Sequence, residues 1–368
     1  MKSDVHQTMN RQAGVTLVEL MISLLLGLLI AIGLATLFTQ NKNSFNQNQD
    51  LARMLEDGRY ALQEMANDLA MAGFYAELTA PLWFVHPNIV ALGAAADCRA
   101  ANAITTNPAN PGLRIDIPAI GWTYAIFPRG TDPFTPEQGS LAVANNATAA
   151  NAAAEFPCLG ALAGVQGGSD VFYSKRVAGA PSNVINGARV YMARRGAAIG
   201  GLYLGANLPA KTLGDPLEND WEFQPKVYYI REITSDVTGD GVAETVPTLC
   251  RMVLNPGPVF GEDCIAQGIE RFQIEWGVDS DGDGDANAYV PALDATLQNA
   301  AVADPNEVVS VRIHVLARSV RADPTYTNTK TYNIADMPAY SPNDNFYRRV
   351  ISTTVMVRNV QGMNLLGF

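Results

Sequence analysis

The spacing of apolar and polar positions changes twice along this chain of 368 residues. From Val15 to Phe38 every position is apolar or small and uncharged except Glu19. As a helix at 1.5 Å per residue that run reaches about 36 Å, enough to cross a hydrocarbon core of about 30 Å. Downstream, Leu51, Met54, Leu55, Leu62, Met65 and Leu69 recur at helical spacing between charged residues, so the period predicts an amphipathic continuation over 39–73. Gly58 interrupts that stripe, and Gly73 stands where a C′ residue would end it. After Gly73 the period shortens to two, and "DVFYSKRV" from Asp170, "KVYYIREI" from Lys226, "RFQIEWGV" from Arg271, "VVSVRIHVLARSV" from Val308 and "RRVISTTVMVRNV" from Arg348 read as strands. In the fourth, Val309, Val311, Ile313 and Val315 share one face and Arg312, His314 and Arg318 the other, which predicts a sheet buried on the side the helix covers. "GSLAVANNATAANAAAEF" at 139–156 has no clear period and reads as an exposed insertion. The class is α+β: a long N-terminal helix, then an antiparallel β-rich head over 74–368 with long loop insertions.

Composition narrows the function. A formal net charge of −11, with no basic cluster longer than the pairs Arg194–Arg195 and Arg348–Arg349, excludes a nucleic-acid surface. Cys98, Cys158, Cys250 and Cys264 all follow the apolar run and include no CxxC pair. Exported by that run, they reach an oxidising compartment and form two disulfides. Three connectivities exist, and sequence order favours Cys98 with Cys158 and Cys250 with Cys264.

The leader "MKSDVHQTMNRQAG" is polar, carries Lys2 and Arg11, and ends in Gly14 directly before the apolar run. A secretory signal has its cleavage site after the apolar region, so the order here is reversed. The basic residues keep the leader cytoplasmic and send the head outward, with a single pass through the membrane. Gly14 followed by "VTLVELM", with Glu19 fifth from Val15, resembles type IV prepilins. That resemblance implies removal of residues 1–14 by a prepilin peptidase, N-methylation of Val15, and a transmembrane helix over 15–38 that leaves the membrane for the fibre. The family usually has Phe where this chain has Val15. "ARMLEDGRYALQEMANDLAMAGFY" at 52–75, "WGVDSDGDGDANAYV" at 276–290, "VRIHVLARS" at 311–319 and "FYRRVISTTVMVRN" at 346–359 are similar to the PilW family of minor pilins. The resemblance implies a pilin-like fold and a place at the pilus tip, in a complex that starts pilus assembly and serves twitching motility and adhesion. Its implied partners are other minor pilins, the major pilin, a tip adhesin and the inner-membrane assembly platform, with membrane lipid before assembly.

An ionisable group inside the hydrocarbon costs roughly 2.5–3.5 kcal/mol, so Glu19 calls for a partner. Cleavage after Gly14 creates one, the amine of Val15, and pairing with it in the same or a neighbouring subunit would set register in the fibre.

In "DSDGDGD", Asp279, Asp281 and Asp283 alternate ahead of Gly284, the opening of an EF-hand-like loop. Calcium needs six to eight oxygens, and Val290 stands where a twelfth-position Glu would be, so Asp285 or Asn287 would have to help complete a Ca2+ shell. "DVTGDGVAET" offers a weaker set, Asp236, Thr238, Asp240 and Glu244, and "TGDG" there is also a good hairpin turn. No catalytic motif is present: G-x-S-x-G, H-E-x-x-H, a P-loop and a helix-opening G-x-G-x-x-G are all missing, and neither His86 nor His314 has a neighbouring motif that makes it a base. The chain reads as structural rather than enzymatic. Two other functions fit the same segments: a minor pseudopilin of type II secretion, similar to pseudopilin J, and a membrane-anchored adhesin or binding module that uses the pilin route for export.

Overall fold

The computed structural model describes residues 14, 16–76, 83–85, 98, 114–117, 122–125, 141–160, 162, 164–195, 199–216, 218–236, 239, 241–291 and 308–357. Helix α1, Leu17–Ala70, runs for 54 residues through both the apolar and the amphipathic segments. The chain divides into two units after Leu51. In the first, the side chains from Leu17 to Phe38 stand exposed, as suits a helix whose surroundings are lipid or other helices. In the second, Met54, Ala61, Leu62, Met65 and Leu69 are buried, so the 3.6-residue stripe faces a core. The helix stops at Ala70, and Gly73, with φ of 73°, turns the chain three residues later by donating its N–H to Lys175 O at 3.0 Å.

Among the described residues the head forms three sheets. A six-stranded sheet contains β1 (Trp83–Val85), β2 (Arg114–Ile117), β3 (Trp122–Ala125), β6 (Val190–Arg195), β7 (Ile199–Leu204) and β8 (Asp220–Glu222) in the order β2-β3-β1-β7-β6-β8. A five-stranded sheet contains β4 (Leu141–Ala147), β5 (Ser169–Ser174), β9 (Lys226–Ser235), β10 (Glu244–Asn255) and β11 (Val259–Gln267) in the order β11-β10-β9-β5-β4. A four-stranded sheet contains β12 (Ile269–Val278), β13 (Ala288–Pro291), β14 (Val308–Arg318) and β15 (Arg348–Met356) in the order β13-β12-β14-β15. Pairing is antiparallel throughout the described residues except between β1 and β7, which run parallel. The expected antiparallel sheet is thus three sheets, one carrying a parallel pair.

All five strands read from alternation are present, as β5, β9, β12, β14 and β15. On β14, Val309, Val311, Ile313 and Val315 are buried while Arg312, His314 and Arg318 stay partly exposed, the alternation expected of a sheet with one covered face. The covering element is α1: a Cβ added to Gly58 would meet Ile351 Cδ1 at 2.7 Å and Ala317 Cβ at 3.3 Å. The glycine that breaks the helical stripe therefore lets the helix approach the sheet.

The segment 139–156 is not an exposed insertion. It forms β4 and the short helix α2, Ala149–Glu155, capped by Thr148, whose hydroxyl accepts from Asn151 N. Ala147, Ala152 and Phe156 are buried in a core shared with Val171, Tyr173, Val227, Tyr229 and Met252. Alanine packs without a visible hydrophobic period, which is why tertiary contacts rather than patterning set this segment. β5 is buried along its whole length: Val171 and Tyr173 face that core, while Phe172 stacks on Tyr228 at 4.7 Å and meets Phe272 edge-on at 5.9 Å.

Side chains of β5 also close an open edge. Ser169 Oγ accepts from Phe272 N and donates to Phe272 O, and Asp170 Oδ2 accepts from Ile274 N at 2.8 Å. Its other oxygen accepts from Asn146 N at 2.9 Å, inside a bulge of β4 between Ala144 and Ala147. Asp170 thereby ties β4 to β12 from a fully buried position, where burial pushes its carboxyl up to about 7 despite the two backbone donors.

Candidate functional site

At the N-terminal motif, Gly14 is exposed, and Val15 lies outside the described residues. Helix α1 begins at Leu17 because Thr16 and Glu19 cap it reciprocally. Thr16 Oγ1 accepts from Glu19 N at 3.3 Å, while Thr16 N and Thr16 Oγ1 donate to Glu19 Oε2 at 3.2 and 3.0 Å. This T-x-x-E capping box satisfies orphan amides of the first turn and sets the carboxylate at the positive end of the helix dipole. In the uncut chain Thr16 already holds the Glu19 carboxylate, before any amine exists at Val15. The signal was in the sequence, as Thr16 three residues before Glu19, but the run read as membrane span rather than as a helix start.

The acidic loop joins β12 to β13. Asp279, Asp281 and Asp283 each offer a carboxylate oxygen within 4.8 Å of the others. Asp279 organises the turn: its Oδ1 accepts from Gly282 N at 2.7 Å and Asp281 N at 3.2 Å, and its Oδ2 from Gly284 N at 2.8 Å. Those backbone donors, Gly284 first, hold its carboxyl below the usual range. Gly282 and Gly284 take positive φ, which lets the amides turn inward. Asp285 is outside the group of three; its amide donates to Asp283 Oδ1 at 2.9 Å. Asn287 closes the loop, accepting from Ser280 N at 2.6 Å and donating to Asp281 Oδ2 at 3.3 Å. Three carboxylates are thus brought together, half or fewer of the six to eight oxygens calcium takes.

The second acidic stretch forms the turn between β9 and β10. Asp236 accepts from Gly239 N at 2.6 Å and Gly241 N at 2.9 Å, and both glycines have positive φ. Thr238 and Asp240 lie outside the described residues, and Glu244 opens β10. The hairpin reading of "TGDG" fits, since Glu244 pairs with Ser235 at the head of a ten-residue ladder.

Both disulfides have the order-favoured connectivity, Cys98–Cys158 and Cys250–Cys264. The second joins directly paired residues of β10 and β11. The clustering of Glu262 with these two sulfurs is no metal centre, because both thiols are spent in the bond.

Sequence reasoning missed the polar centre where α1 meets the five-stranded sheet. Asp68, buried on the helix, accepts from Arg176 Nε at 2.8 Å, from Lys226 Nζ at 2.7 Å and from the Tyr228 hydroxyl. One turn earlier, Glu64 pairs with Arg251 at 2.8 Å, and Arg251 also bonds Asp263. Burial pushes the Asp68 carboxyl up, but Lys226, Tyr228 and Arg176 together hold it below the ordinary carboxylate value. Partners more than a hundred positions away leave no local pattern to read. His314 bridges three strands of the four-stranded sheet, with Nδ1 2.7 Å from Ser352 Oγ and Nε2 2.8 Å from Glu275 Oε2. His86 lies outside the described residues.

Helix α1 is apolar and long enough at its N-terminal end to cross a membrane. Residues 9–35 match the family described as the prokaryotic N-terminal methylation motif, and residues 227–359 match the family described as type IV pilus-assembly protein W. No curated protein and no solved structure matches the chain.

Proposed function

Taking this chain as a type IV pilin of the PilW family, we propose that it is a minor pilin of the complex that primes pilus assembly and stays at the fibre tip. The observation that carries this reading is the join of a capped, methylation-motif helix to a head anchored on that same helix through Gly58 and Asp68. The bilayer stores the apolar helix before assembly; packing beside like helices replaces lipid with protein afterwards. In the uncut chain Thr16 holds Glu19; cleavage after Gly14 adds a positive amine at Val15, one residue from the cap, to which Glu19 turns in its own or a neighbouring subunit. The head then meets other minor pilins, the major pilin and a tip adhesin. The protein works as a structural subunit and not as an enzyme.

The test is deletion of the gene and complementation with the natural chain or Glu19→Ala, scoring surface pili, twitching and protein secretion. Loss of pili and twitching, restored by the natural chain and not by Glu19→Ala, supports the reading. Loss of secreted enzymes with normal pili would assign the chain to type II secretion, and normal piliation with loss of attachment alone would make it an adhesin.

We also propose that the Asp279, Asp281 and Asp283 loop takes Ca2+, with backbone carbonyls or water completing the shell. Calcium titration of the full chain, with Asp281→Ala and Asp283→Ala as controls, should raise the melting temperature of the natural chain alone. No calcium-dependent shift in the natural chain would reject the site.

A further inference from the structure

Among the described residues three sheets present six edges, and five of them are guarded. β2 is only four residues long. The outer edge of β8 is covered, with Ala178 N donating to Glu222 O and Ser182 N to Asp220 O. β11 carries Glu262 and Asp263, engaged by Arg231 and Arg251. β4 is bulged, and β13 is four residues long and ends in Pro291. Charges, bulges, proline and shortness are the devices by which proteins prevent an edge from pairing with another chain.

β15 carries none of them from Val350 to Met356. It is nine residues long, pairs with β14 in one unbroken register, and has no strand on its other side among the described residues. Its alternation can be assigned. Val357 N donates to Val309 O, and Ser319 N to Tyr347 O, so odd-numbered residues of β15 face β14 with their amides and carbonyls. The backbone groups of Val350, Ser352, Thr354 and Met356 therefore point away from β14, along the free edge. Those four residues are exposed, and their side chains are uncharged and share the sheet face opposite the helix. A row of outward amides and carbonyls of this kind is complementary to one thing, a further extended backbone.

We propose that the free edge of β15 docks an extended, uncharged segment of a different polypeptide, which adds a fifth strand to the four-stranded sheet. Exposed Arg349 at the start of the strand favours an acidic residue at the matching end of that segment. An antiparallel pair of two β15 strands would be related by a twofold axis perpendicular to the sheet. Such a pair would set the exposed Arg349 of each chain against the other β15, which carries no acidic residue to meet it. The choice of a different polypeptide thus rests on this charge match, and the assembly in which it is tested rests on the pilin reading.

The experiment is residue-resolved hydrogen exchange on the full chain, solubilised in detergent and in sheared pili or native membranes. In detergent, the amides of Val350, Ser352, Thr354 and Met356 should exchange at least about tenfold faster than those of Ile351, Thr353 and Val355, and the difference should vanish in the native assembly. Outward amides that remain fast in the assembly would overturn the proposal. So would their protection in detergent together with a doubled particle mass, which would make the occupant a second copy. Thr354→Pro removes one outward N–H while leaving the ladder to β14, so its melting temperature should match the natural chain and its recovery in pili should fall at least about tenfold. Natural recovery of Thr354→Pro alongside lost recovery of Glu19→Ala would reject the edge and leave the pilin reading standing. Absence of the natural chain from pili would reject the pilin reading, with exchange in membranes still deciding the edge.

Discussion

Removing the carboxylate of Asp68 should loosen the head where α1 meets the five-stranded sheet. Its side chain is 3% exposed and serves three donors at once, Arg176, Lys226 and Tyr228. Asp68→Ala leaves two cations and a phenol facing a void. Breaking a buried pair from one side costs about 3–5 kcal/mol. Arg176 and Lys226 keep 18% and 16% of their side chains exposed, so water can reach them and the lower end, about 3 kcal/mol, is expected. Asp68→Asn keeps the shape and two acceptor lone pairs and should lose about half as much, on the order of 1–2 kcal/mol. The double variant Asp68→Ala, Lys226→Met should be less destabilised than Asp68→Ala alone, because it removes the uncompensated ammonium. Urea unfolding of the detergent-solubilised chain, followed by the fluorescence of buried Trp221 and Trp276, measures all three. A loss below about 0.5 kcal/mol for Asp68→Ala would show that the network is peripheral to stability and refute the reasoning.

Two further predictions concern pH and covalent closure. Asp170, pushed up to about 7 from 3.8, binds a proton in the folded state that the unfolded chain does not, so stability should rise as pH falls from above 7 toward 4, by up to about 4 kcal/mol. Asp68, held below 3.8, has the opposite sign: its contribution is present above pH 4 and is lost as pH falls further. Urea midpoints should therefore peak near pH 4 and fall toward pH 8, and a steady rise from pH 5 to 8 would contradict this. Cys98–Cys158 spans 60 residues and Cys250–Cys264 spans 14, so loop entropy assigns them about 4 and 3 kcal/mol. Cys98→Ser should lower the unfolding free energy more than Cys264→Ser, and the reverse order would show that local packing outweighs loop length.

What could be read from the sequence follows the range of the forces involved. The long helix, its stripe, the five alternating strands and the "TGDG" turn are set by contacts within a few residues, and each is present. β4 and α2 were missed because Ala and Asn carry no period, although Phe156 and Ala152 pack into a core. The Thr16–Glu19 cap was local and legible but hidden by the apolar run around it. The joins among Asp68, Lys226 and Tyr228, between Asp170 and Ile274, and the bare edge of β15 are products of topology, and no window along the chain contains both sides of them.

We propose that this chain is cut after Gly14, methylated at Val15 and built into a pilus. Mass spectrometry of the N-terminal peptide from sheared, purified pili tests it directly. The expected result is a peptide of this chain that begins at N-methylated Val15. Recovery of the chain only from the inner membrane, with the leader from Met1 to Gly14 still attached, would contradict it.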